Sequence, residues 1–303
     1  MRHFLFVPLI GGFILAAQPI AAQQQTLGFG RLLNNDALGD QSDRWRTAGY
    51  TVSWVRGTAW DGELPDRPGD ILEFRFSATI ISPEDLTDPG AGERLYAGTL
   101  SAGIHTHFDW RGFDVSAGAG VAVLGEQTGL RGLQTDFHDQ FGLPRIDIND
   151  TQQVDDQVRA HATVEIGRDI AVGGVELRPY VELQAGIETL ARAGMDLTIG
   201  RIGETGLMLR DVTTGQRYVA IDSARPTGYS AVLGADFTYI ADSFYLPSSG
   251  PVEAEETRFR LRGGLEADLG LGSTFFGVTY LSEEYVGQSE GQVVGSLNIR
   301  LDF

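Results

Sequence analysis

The chain closes on "VGSLNIRLDF", residues 294–303, in which side chains alternate between apolar and polar. Leu297, Ile299, Leu301 and Phe303 fall on one face, and Ser296, Asn298, Arg300 and Asp302 on the other. Successive side chains of a strand point to opposite faces, so this stretch reads as a strand with one greasy and one wet side. The pattern recurs upstream. In "TRFRLRGGLEADL" (257–269) Phe259, Leu261, Leu265, Ala267 and Leu269 oppose Arg258, Arg260, Arg262, Glu266 and Asp268. In "ILEFRFSATI" (71–80) Leu72, Phe74, Phe76, Ala78 and Ile80 oppose Glu73, Arg75, Ser77 and Thr79. "VELRPYVELQAGI" (175–187) sets Val175, Leu177, Val181, Leu183, Ala185 and Ile187 against Glu176, Arg178, Tyr180, Glu182 and Gln184.

A soluble sandwich also alternates, but its wet face is seldom so dense in Arg and Glu of opposite sign. Apolar residues outward and paired charges inward fit a transmembrane barrel whose interior is filled by ion pairs. In lipid, a closed sheet satisfies every backbone group of its strands. The final Phe303 also resembles the C-terminal signal of bacterial outer-membrane barrels. The expected fold is therefore all-β: a transmembrane antiparallel β-barrel of about twelve strands.

Bulk properties agree. Met1, Arg2 and His3 precede the apolar run "FLFVPLIGGFILAA" and then "QPIAAQQQ", the layout of a secretory leader cut after Ala22. Residues 1–22 are expected as signal peptide and 23–303 as the barrel of the outer membrane. No later apolar run has the length of a membrane helix. The chain has no cysteine, which suits an oxidising export route. It has no lysine and a formal charge of -18, which argues against a nucleic-acid partner.

The alternating segments span 25–35, 47–57, 70–81, 94–108, 112–124, 155–169, 175–188, 192–203, 227–243, 256–269, 273–285 and 293–303. With both chain ends in the periplasm, the connections 36–46, 82–93 and 125–154 emerge outside the cell. "DWRG" (109–112) and "DIAVGG" (169–174) become short periplasmic turns. The connection 204–226 strains this layout, being long yet on the periplasmic side. "GLMLRDVTTGQRYVAI" within it reads as a hairpin of its own, which could change the strand count by two.

That layout gathers polar residues at one end. Asn35 and Asp36 close the first strand, Asp40 and Asp43 lie in the first outer loop, and Thr47 opens the second strand. The 125–154 connection brings Gln134 and His138 to the same side, within "GLRGLQTDFHDQFG" (129–142), a stretch that reads as loop, too polar and glycine-rich for a helix. Carboxylate and amide oxygens suit a calcium ion. A neutral imidazole can take a proton from water near neutral pH, and a divalent ion can hold the oxyanion of a cleaving ester. Asn- and Asp-rich loops are equally ordinary turn chemistry.

A family resemblance sharpens this. "NDALGDQSDRWRTAGYTVSW" (35–54) resembles the opening motif of the outer-membrane lipid A 3-O-deacylases. "ERLYAGTL" (93–100) is similar to that family's Tyr-Ala-Gly strand, and "VLGEQTGLRGLQTDFH" (123–138) to its approach to Gln-x-x-x-His. "ADFTYIADSFYL" (235–246) and the closing residues 275–303 resemble its late strands. The resemblance implies a twelve-stranded barrel and calcium-dependent hydrolysis of the acyl ester at the 3-position of lipid A. Asn35 and Asp36 then match the family's metal-holding pair, Thr47 its hydroxyl residue, Gln134 its glutamine and His138 its catalytic histidine. The implied partners are calcium and the lipopolysaccharide of the outer leaflet, with the barrel expected as a monomer.

Some positions depart from the pattern. Asn34 stands where members commonly carry Glu, and the Gly-Trp that usually follows the histidine is missing. A lysine used by some members is absent, and Pro144 lies six places after His138, where an acidic residue would be sought. His105, His107 and His161 fall on strands and face the interior, where ion pairing is the expected role. Asp155 and Asp156 read as a solvated loop end. "SAGAGVAVLG" (116–125) is a small-residue strand and not a phosphate loop, because no Lys-Ser/Thr follows. Two rival readings remain: a non-enzymatic barrel serving as small channel or structural protein, and a family member that has lost activity.

Overall fold

A computed structural model describes residues 24–222, 227–270 and 272–301. The expected leader with its cut after Ala22, and the terminal Asp302 and Phe303, lie outside these residues. The strands are β1 (Gln25–Asn35), β2 (Trp45–Gly57), β3 (Ile71–Ser82), β4 (Ala97–Asp109), β5 (Asp114–Leu124), β6 (Gln157–Gly167), β7 (Ile170–Val172) and β8 (Val175–Ala185). They continue as β9 (Glu188–Ile199), β10 (Leu207–Arg210), β11 (Arg217–Ile221), β12 (Gly228–Ser243), β13 (Thr257–Asp268), β14 (Gly272–Leu281) and β15 (Gln292–Leu301). Apart from the short β7 and the pair β10–β11, each strand pairs antiparallel with its two neighbours, giving a closed wall of twelve. The last seam joins β15 to β1, through Leu33↔Leu297, Asn34↔Ser296 and Asn35↔Gly295.

The wall is inside out relative to a water-soluble protein. On β13, Arg258, Arg260 and Arg262 are buried while Leu261 and Leu265 are 53% and 67% exposed. Lipid accepts the outward row, and ion pairs across the interior offset the desolvation of the inward row. Arg260 and Arg262 converge on Asp236 at 2.9 and 2.5 Å, Arg192 lies 2.5 Å from Glu182, and Glu73 takes Arg75 at 2.6 Å and His107 at 2.9 Å. The charged faces of the sequence are thus one connected interior.

The long connection before β12 does hold a hairpin, and the hairpin is not part of the wall. β10 and β11 form a separate two-stranded sheet that turns back into the lumen. Arg210 reaches Glu165 at 2.7 Å and Asp196 at 2.9 Å, and the Tyr218 hydroxyl lies 2.9 Å from that of Ser53. Its apolar residues Leu207, Leu209 and Ile221 pack with Leu32, Val55 and Ile71 of the wall. Gly28 and Gly30 permit this approach: a Cβ at Gly28 would lie 2.0 Å from the Ala220 carbonyl oxygen. A connection at the end of the wall opposite the loops can therefore be long without adding wall strands.

Two expectations fail locally. β9 begins at Glu188, four residues before the expected start, because Gly186 turns the chain with φ +120 and leaves only a two-residue connection. And residues Leu130–Phe141, read as loop, form a helix, α1. Its glycines are mostly at the ends: Gly129 and Gly142 cap it in the left-handed conformation, with φ +70 and +66. The connections 36–44, 83–96 and 125–156 all leave the wall at one end, here the loop end, as expected.

Candidate active site

The first loop is held in an unusual backbone path. Asn35 caps a single 3-10 turn, Asp36–Leu38, with its side-chain oxygen accepting the Ala37 N–H at 2.8 Å. Beyond it Gln41, Asp43 and Trp45 all adopt positive φ, at +63, +43 and +54. Such conformations are costly for residues other than glycine and persist only where surroundings impose them. Here the wall imposes them: the Asp40 N–H donates to the Val293 carbonyl of β15 at 3.0 Å, and the Asp40 carboxylate accepts the Val293 N–H at 3.1 Å. The path carries Asp36 inward, to 1% exposure, with its carboxylate accepting the Arg44 N–H at 2.9 Å. Burial, together with the nearby Asp43 charge, pushes the Asp36 carboxyl up to about 8.

α1 supplies the opposite side. Gln134 and His138 are four apart, so they share one helical face, and both are buried, whereas Leu133, Phe137 and Phe141 on the other face are exposed. Arg131 ties the helix to the returning chain, pairing with Glu126 at 2.8 Å and Asp150 at 3.1 Å. That returning chain runs beside Tyr96, which exchanges backbone bonds of 2.9 Å with Gln152 and Val154. The Tyr96 hydroxyl in turn donates to the Gln134 side-chain oxygen at 3.1 Å.

The two sides meet at Asp43. Its Oδ2 lies 3.0 Å from His138 Nε2, and its Oδ1 accepts from Gln134 Nε2 at 3.4 Å. The other imidazole nitrogen, Nδ1, lies 2.7 Å from the Pro144 carbonyl oxygen. A carbonyl can only accept, so Nδ1 carries a proton and Nε2 is the nitrogen left for chemistry. A carboxylate and an imidazole lone pair cannot face each other at 3.0 Å without a proton between them, so the resting pair holds one. Burial raises the Asp43 carboxyl, against the opposing pull of His138. The backbone at Pro144 thus occupies the place where an acidic side chain was sought, and it fixes the imidazole without one.

Of the expected residues, the structure brings Gln134 and His138 together with Asp43, which adjoins Asp36. Asn35 serves its turn directly before Asp36. Thr47 is buried with its hydroxyl 2.6 Å from that of Ser82, its hydrogen-bond partner among the described residues. Asp43 and Tyr96 were not singled out as site residues in the sequence. Both lie inside motifs quoted there, but nothing in the spacing says that they reach Gln134 and His138. His107 pairs with Glu73 in the interior, as expected of a lumen histidine.

The donor set suits a hard cation. Asp36 is a buried carboxylate beside a second carboxylate, with backbone N–H groups and no cationic side chain in ion-pair contact among the described residues. A cation would offset both burial and mutual repulsion. No group of three or more His, Asp or Glu side chains among the described residues encloses an ion by itself. Asp36 and Asp43 would thus need further oxygens from the Asn35 amide, the backbone or water, an irregular shell that calcium accepts.

Comparison with known proteins agrees with this fold. The profile of the outer membrane protein LpxR family matches residues 5–303. Among solved structures, LpxR from Salmonella typhimurium superposes with a TM-score of 0.70 at 16% identity, covering 91% of this chain and all (100%) of that one. The beta domain of the Bordetella autotransporter Brka gives a TM-score of 0.42 at 14% identity, with 93% and 100% covered. The translocator domain of the autotransporter NalP from Neisseria meningitidis gives 0.39 at 11%, with 91% and 87% covered. No curated protein sequence matches.

Proposed function

Because the chain belongs to the LpxR family of outer-membrane β-barrel proteins, we propose that it is a lipid A deacylase, hydrolysing the 3-O-linked acyl ester with the help of calcium. The observation that carries this reading is the meeting of His138, Gln134 and Asp43 at the loop end, beside the buried Asp36.

In this reading Asp36 and Asp43, with the Asn35 amide, hold the ion, which when bound stabilises the oxyanion of the cleaving ester. His138 takes the proton of the attacking water on Nε2, while Pro144 holds Nδ1–H and so fixes the tautomer. Of the two groups that engage the imidazole, the Pro144 carbonyl is fixed by the backbone and Asp43 is a loop side chain. Asp43 is therefore the one that moves, giving up its proton to water and turning its carboxylate toward Asp36, which leaves Nε2 free to accept. Gln134, held by Tyr96, keeps the imidazole face in place. Thr47 acts from the barrel rim, through its hydroxyl.

The rival reading as a channel meets an obstacle in the lumen, which the β10–β11 hairpin and the ion pairs of Arg210, Arg260 and Arg262 occupy. The test is mass spectrometry of lipid A from cells making the protein and cells lacking it. The proposal requires a species lighter by the 3-O-linked acyl group. Identical spectra, with folded protein present in the outer membrane, would overturn it.

A further inference from the structure

Between the loop end and the tip of the hairpin, the lumen holds a cavity of about 130 Å³. Val212 and Thr213 of the hairpin tip bound it on one side and Tyr245 on another. Its loop-end wall carries unbalanced charge. Arg46 lies 2.7 Å from Glu284 and 3.5 Å from Glu188, Arg258 lies 3.1 Å from Glu188 and 3.5 Å from Glu284, and Arg94 also bonds Glu284. Three guanidinium groups thus share two carboxylates. One positive charge is left over, in a place where Arg46, Arg94 and Arg258 are 8%, 1% and 8% exposed.

The hydrogen bonds show the same surplus. Nε and Nη2 of Arg94, and Nε and Nη2 of Arg258, are buried without a hydrogen-bond partner among the described residues. Across the cavity His105 is 3% exposed, and neither ring nitrogen has a hydrogen-bond partner among the described residues, Glu73 lying 3.9 Å from Nδ1. Its ring is clamped over Gly118, where a Cβ would come within 2.0 Å of it. A buried donor left unmet forfeits its hydration with nothing in return, and a charged one forfeits most. Burial and the neighbouring charges hold the Arg94 guanidinium below its ordinary range, although Glu284 pulls the other way.

We propose that this cavity is a binding site for a small oxyanion of the phosphate or sulfate class. Arg258 and Arg46 are its charged donors, Arg94 adds charge behind them, and His105 donates from the opposite wall. The planar fork of arginine matches two oxygens of such an anion, and several convergent donors favour it over chloride. The anion comes from water and not from a lipid headgroup, because the hydrogen-bonded wall separates the lumen from the bilayer. This site lies inside the barrel and is independent of the ester chemistry proposed at the rim.

Calorimetric titration of the folded barrel with inorganic phosphate, in uncharged detergent at fixed ionic strength, tests the site. Saturable binding of one phosphate per barrel is expected. Arg258→Gln should weaken it about tenfold or more, whereas Arg145→Gln, at a side chain 77% exposed, should not. If Arg258→Gln fails to assemble, Arg258→Lys keeps the charge without the fork and should still weaken binding. Phosphatidate in mixed micelles, at equal phosphate, should not compete. Heat that never saturates would mean that water alone fills the cavity, and affinity unmoved by either Arg258 variant would place the phosphate elsewhere; either result overturns the assignment. Competition by phosphatidate would move the site to the outer surface and overturn the assignment.

Discussion

Asp43 and His138 face each other across the loop end, 3.0 Å apart, from connections that follow different strands. Neither residue alone makes the site. The imidazole is held by Pro144 on its far side, so the pair has one fixed member and one that can leave.

Replacing His138 by Ala should lower turnover by at least about 10²-fold, the scale of lost general-base help. Barrel assembly should survive, since α1 lies outside the wall. His161→Ala, within the lumen, should leave turnover nearly unchanged. The check is deacylation rate per folded barrel. An active His138→Ala variant beside a dead His161→Ala would move the chemistry into the lumen.

Tyr96→Phe deletes the hydroxyl that donates to Gln134. One hydrogen bond is worth about 0.5–1.5 kcal/mol, so turnover should fall roughly two- to tenfold with little change in KM. Gln134→Ala should cost more, because it also removes the contact to Asp43. Equal rates for wild type and Tyr96→Phe would show that Tyr96 does not position Gln134.

Calcium and protons should compete at Asp36. The folded carboxyl titrates at about 8, against an ordinary value of 3.8. Between those values the folded state binds the extra proton, so without a cation stability falls as pH rises through that window. Calcium held at Asp36 would displace that proton, and its stabilising effect should therefore be larger at pH ~9 than at pH ~5. The readout is the temperature at which the barrel loses its heat-modifiable gel mobility. Asp36→Asn should flatten the difference, and an equal calcium effect at both pH values would exclude Asp36 from the ion's shell.

Arg210→Ala strips a cation from Glu165 and Asp196. Removing one partner of a buried pair costs about 3–5 kcal/mol, so the same gel transition should move to lower temperature. Replacing the hairpin by a short Gly-Ser turn should make the barrel conduct ions in planar bilayers. A hairpin-free barrel that stays silent would show that side chains alone close the lumen.

The wall was legible because a two-residue period runs without a register shift along strands such as β13: Arg258, Arg260 and Arg262 lie inside and Leu261 outside, as their alternation says. α1 was not. Its apolar residues Leu133, Phe137 and Phe141 do follow a helical spacing, but they face outward, and the buried face presents Gln134 and His138. Burial of polar residues hides the usual sign of a helix. Asp43 was equally hidden, because its reach to His138 depends on a left-handed backbone at Gln41, Asp43 and Trp45 that no residue type there announces. Those positions hold none of the glycines that normally mark such turns.

The seam between β1 and β15 is short, and it runs directly beneath the first loop. Gly39 packs so closely on β15 that a Cβ there would lie 2.0 Å from the Val293 oxygen, and the Asp40 N–H donates to that same oxygen. The first loop is thus shaped by the last strand of the chain. Until β1 and β15 have paired, Asp36 and Asp43 have no template for the path that brings them together. In the proposed reading, completion of the barrel is therefore what assembles the site.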